Sequence, residues 1–101
     1  MKINQSIVSQ GYHCYLCEVI DDAYNVKDLH LHHIFHGTAN RKLADEYGCY
    51  CYLCPEHHLY GEDAVHRDHD IDIGLKKIAQ LRFEQIHGHK KFMEVFGKNY
   101  L

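Results

Sequence analysis

Between positions 71 and 86, Ile71, Leu75, Ile78, Ala79, Phe83 and Ile86 recur at helical spacing, with Arg82 in register. This pattern predicts an amphipathic helix with an apolar core stripe, closed by Gly88, although Gly74 weakens it near the start. A shorter helix is expected over 90–96, with Phe92, Val95 and Phe96 inward and Gly97 as its stop. Upstream the period changes. Residues 29–35 alternate partially and predict a strand that His36-Gly37-Thr38 breaks. Residues 39–47 have helical composition and end at Gly48, a suitable C-terminal cap. Residues 49–53 form a short β-prone run leading into Cys54. Pro55, the only proline, suits the first position of a short helical turn through His58 and Leu59. Polar stretches at 21–25, 61–63 and 67–70 read as loops, and residues 1–11 as a leader ending at Gly11. The last residues, Asn99-Tyr100-Leu101, are expected to pack back on the domain.

A chain of 101 residues is one small domain, with a core modest enough to benefit from a cross-link. The expected fold class is α+β: a small zinc-bound ββα-metal, treble-clef-like core over 12–70, with C-terminal accessory helices over 71–101. No apolar run spans a membrane and no signal-like segment opens the chain, so the expected compartment is the cytoplasm. Disulfides are rare there, and five cysteines make an odd set. Eleven histidines are the compositional outlier, and cysteine with histidine points to metal. The net charge of −3 argues against duplex binding by charge alone.

Two constellations carry this chemistry. Cys14-x-x-Cys17 and Cys54-x-x-His57 supply three thiolates and an imidazole, a closed tetrahedral set of the structural zinc type. A two-residue gap lets both side chains of one tight turn reach the same ion. Cys49 and Cys51 share a strand face and read as core or edge residues. The second set is His32, His58 and His66, an open group with room for water at a catalytic divalent ion. His33, adjacent to His32, would point to the other side of the strand and act as the base. His13, His30, His36, His69, His87 and His89 read as solvated side chains. Lys76, Lys77, Arg82, Lys90, Lys91 and Lys98 read as the wet side of helices. Arg41 and Lys42 follow the histidine pair and, taken alone, read as a solvated helix face.

Leu31-His32-His33-Ile34-Phe35, Leu53-Cys54-Pro55-Glu56-His57-His58 and Ala64-Val65-His66 resemble the HNH nuclease superfamily, especially its phage-encoded, recombination-enhancement (RecA-dependent) branch. The resemblance covers about residues 12–70. It implies metal ligation by His32, His58 and His66 and general-base action by His33, and it puts Arg41 in the loop near the scissile phosphate, as a phosphate clamp. It also implies Mg2+ or another divalent ion beside the structural zinc. DNA would be the substrate, in phage recombination, replication or packaging, with a recombinase or another phage or host protein as a possible partner. The middle asparagine of the motif, which orients the base, is Cys49 here, and Asn40 is the nearest substitute. The alternative is a non-catalytic zinc-binding module for DNA or protein.

Overall fold

Two strands pair antiparallel, and four helices pack around them, in a computed structural model that describes residues 5–101. The first four positions of the expected leader lie outside the described residues. The helices are α1 (Tyr15–Asp21), α2 (Thr38–Tyr47), α3 (His69–His87) and α4 (His89–Phe96). The strands are β1 (His30–His33) and β2 (Tyr50–Leu53), and a π-helical turn, Glu56–Tyr60, follows β2. The class is α+β, as expected.

The sheet register decides which histidines face inward. His30 opposes Leu53, Leu31 opposes Tyr52, His32 opposes Cys51 and His33 opposes Tyr50. Alternate strand residues share a face, so His30 and His32 lie on one side. His32 is 3% exposed, and its cross-strand partner Cys51 is fully buried. Between the strands, α2 ends at Gly48 with φ +75, and a Cβ there would stand 2.1 Å from the Gln5 carbonyl oxygen. Only glycine tolerates both that backbone and that approach. Ile7 N–H donates to the Gly48 carbonyl (2.9 Å), Ser6 Oγ donates to the Tyr50 carbonyl, and Val8 is buried. The described part of the leader is thus tied to the start of β2.

The cysteine turn, the 67–70 stretch and Ile86 differ from expectation. The cysteine turn continues into α1, because Cys14 occupies its N-cap and its sulfur accepts the Cys17 N–H at 3.4 Å. Only the first turn of α1 is buried; Val19 and Ile20 are exposed, so no helical apolar stripe marked it in the sequence. The polar stretch 67–70 is no plain loop: Asp68 caps α3 by accepting from Asp70 N–H (2.9 Å) and Ile71 N–H (3.3 Å). Along α3, Leu75, Ala79 and Phe83 form the buried stripe, whereas Ile86 is 60% exposed and does not belong to the core. Ile86 lines a groove with Ser9, Val19 and Tyr24 instead.

The core joins the end of β1 to the C-terminal helices. Phe35, just beyond β1, meets Phe92, Phe96 and Tyr100 at ring separations of 5.5, 4.5 and 5.3 Å. Gln80 is fully buried, yet both ends of its amide are satisfied. Its Nε2 donates to Glu84 Oε2 and Asn99 Oδ1, and its Oε1 accepts the Tyr100 N–H, each at 2.7 Å. This network holds the last residues against α3, as expected. No helix among the described residues is long and apolar enough to cross a membrane.

Candidate metal centres

The first centre gathers Cys14 from the N-cap of α1, Cys17 from its first turn, Cys54 from the end of β2 and His57 from the π-helical turn. All four are buried. His57 Nδ1 lies 3.6 Å from Cys14 Sγ, 3.3 Å from Cys17 Sγ and 3.4 Å from Cys54 Sγ. The Cys17 and Cys54 sulfurs are 3.7 Å apart. Bonds of about 2.3 Å to sulfur and about 2.0–2.1 Å to nitrogen give tetrahedral edges of about 3.8 Å for S···S and about 3.5 Å for S···N. The donor spacing therefore fits a tetrahedral ion such as zinc, and the cluster can hold one.

His57 also has a second partner. Asp63 Oδ2 stands 3.5 Å from its Nε2, on the side away from the thiols. Ligating histidines commonly lean on a carboxylate in this way. Gly61 permits the tight return that brings Asp63 there: a Cβ on Gly61 would lie 2.7 Å from the Glu56 carbonyl oxygen. Asp63 had been legible only as part of a polar loop.

Cys49 and Cys51 belong to neither ligand group and are fully buried. Burial pushes the Cys49 thiol up to about 12 and raises that of Cys51 as well. Both are core residues, as their strand positions indicated.

The second group is His32, His58 and His66, whose ligand nitrogens lie within 4.8 Å of one another. His32 comes from β1 and His58 from the π-helical turn; His66 follows the Asp63 loop. Backbone bonds hold that last segment to the turn: Val65 N–H donates to the His57 carbonyl (2.7 Å) and His66 N–H to that of His58 (3.4 Å). His58 Nε2 and His66 Nε2 are 3.1 Å apart. His32 Nε2 is buried with no hydrogen-bond partner. An orphaned buried nitrogen is costly unless something engages it. Burial, then the neighbouring imidazoles, pull His32 down to about 3 and His58 down to about 4. At neutral pH both rings therefore present lone pairs, which suits a cation better than a proton.

These rings line an open depression of about 360 Å³, shared with Leu31, His33, His36, Gly37 and Arg41. The sequence-derived candidates thus converge on one place. His33 Nε2 lies 2.7 Å from Asp45 Oδ1 on α2. An ionised carboxylate can only accept, so His33 donates from Nε2 and keeps its lone pair on Nδ1. Asp45 was missed from sequence; the available signal was its position four residues after Arg41, on the same helical face. The Asn40 amide donates to the His36 carbonyl (2.8 Å) rather than to His33.

Two histidines read as solvated are part of this environment. His36 is about half exposed but donates to Asp72 Oδ1 (3.2 Å), while Asp72 Oδ2 accepts from Lys76 Nζ (2.8 Å). His30 Nδ1 lies 2.8 Å from His58 Nδ1. A larger groove, about 800 Å³, runs between residues 5–10, α1 and α3. It contains neither ligand group, so size does not identify the chemistry here.

Comparison of the chain with known protein families, curated proteins and solved structures finds no match.

Proposed function

We propose that this chain is a metal-dependent DNA endonuclease of the HNH type, with a structural zinc at Cys14, Cys17, Cys54 and His57. One observation carries the reading: a single depression collects the His32–His58–His66 set, a histidine with a carboxylate-fixed tautomer, and Arg41. His33 Nδ1 takes a proton from water, and the water oxygen attacks the phosphorus of a phosphodiester. Arg41 binds the phosphate through its guanidinium fork. The bond to the leaving oxygen breaks as the new P–O bond forms. A divalent ion held by His32, His58 and His66 would supply charge stabilisation to the phosphate oxygens.

Asp45 takes over the orienting duty that an asparagine performs in the resembled motif. It reaches the base by a side-chain hydrogen bond, so the change at Cys49 leaves His33 positioned. The donor set is all nitrogen, which suits zinc, nickel or another borderline ion better than Mg2+.

Zinc-loaded protein is expected to nick supercoiled plasmid when Mn2+, Co2+, Ni2+ or Mg2+ is added, and to stop in excess chelator. Agarose-gel conversion of supercoiled to open-circular plasmid measures this. Intact folded protein without cleavage under any of these ions would favour the zinc-binding module for DNA or protein.

A further inference from the structure

We propose that His30 is a positioning residue for the open centre, fixing the tautomer of His58 through their Nδ1···Nδ1 contact. This rests on the reading of His32, His58 and His66 as a metal site. His58 sits between two histidines, and its two ring nitrogens meet them at different distances. Its Nε2 lies 3.1 Å from His66 Nε2, whereas its Nδ1 lies 2.8 Å from His30 Nδ1. Metal–nitrogen bonds of about 2.0–2.1 Å give adjacent donors a separation of about 2.9–3.4 Å, from right-angled to tetrahedral geometry. The first distance falls within that span. The second is that of a hydrogen bond between the two rings.

The two contacts constrain each other. A neutral imidazole has one N–H and one lone pair. If His58 Nε2 presents its lone pair to the open site, the proton must reside on Nδ1. His58 then donates to His30 Nδ1, which accepts. The rings meet edge to face, with centroids 5.0 Å apart and planes at 73°. His30 and His32 share a face of β1, so the same strand carries a ligand and the support of another ligand. His57 shows the corresponding arrangement in reverse: Nδ1 faces the thiols and Nε2 faces Asp63. Each histidine of the pair thus turns one nitrogen to a centre and the other to a supporting group.

Asparagine and leucine at position 30 separate acceptor from bulk. Asparagine places Oδ1 where histidine has Nδ1, whereas leucine has similar shape and no acceptor. Ni2+ is titrated by calorimetry into zinc-loaded wild type, His30→Asn and His30→Leu. Thermal melts check folding, and absence of a thiolate-to-nickel absorption band shows that the closed centre keeps its zinc. His30→Leu should bind Ni2+ about 10–100-fold more weakly, the usual cost of losing such a partner, while His30→Asn stays close to wild type. Equal affinity in wild type and His30→Leu would overturn the inference and leave the metal site standing. Equal weakening in both variants would also overturn it, because the acceptor would then be irrelevant. A wild type that binds no second ion would instead overturn the underlying metal-site reading.

Discussion

Stripping the metal from the closed centre is expected to unfold the domain. Cys14 and Cys17 hold the start of α1, Cys54 ends β2, and His57 lies in the turn beyond. An ion shared by these groups ties together segments whose ligands are as much as 43 residues apart. Structural zinc sites of this type contribute about 10–16 kcal/mol, whereas whole domains are stable by only about 5–15 kcal/mol. Loss of the ion therefore removes as much free energy as the fold has to spare. Far-UV circular dichroism with a strong chelator, beside a colorimetric zinc assay, checks this. Cys54→Ser should behave as chelated wild type. A metal-free protein that retains a cooperative thermal transition near that of the wild type would rule out the structural role.

The second large effect concerns His33. His33→Ala is expected to lower plasmid cleavage by about 10²–10⁴-fold, the range of a positioned general base. Metal content and thermal stability should remain near wild type, because His33 belongs to neither ligand group and is partly exposed. Asp45→Ala should give a smaller loss, since the ring remains but its tautomer and orientation are released. Single-turnover cleavage of a labelled duplex separates these effects from binding. Cleavage by His33→Ala at the wild-type rate would place the base elsewhere.

These expectations draw unequally on sequence and structure. Period and stop residues made α3 and α4 legible, helical composition with Gly48 marked α2, and partial alternation or β-prone composition marked the strands. The paired two-residue gaps likewise mark the cysteine group in the sequence, and the placing of His58 and His66 after the knuckle marks the histidine group. By contrast, α1 leaves Val19 and Ile20 exposed and depends on the Cys14 cap, so its apolar pattern carried no helical signal. Ile86 fits the period of α3 but faces the groove beside residue Val19. His30 meets His58 and Asp45 meets His33 at separations of 28 and 12 residues, and Asp63 reaches His57 through the tight return at Gly61, so hydrophobic periodicity did not mark these pairings. Their value emerges only when the strand register and the turn after β2 bring donors and acceptors together.

The separation of His57 from His58 is tested most directly by adding Co2+ to metal-free protein and following absorption. Wild type should bind in two steps: a first equivalent with a strong thiolate-to-cobalt band and recovery of helix, then a weaker equivalent that adds no such band. His58→Ala should retain the first step and lose the second, while His57→Ala should lose the folding-coupled first step. Equal effects of the two substitutions on both steps would contradict two centres meeting at this turn.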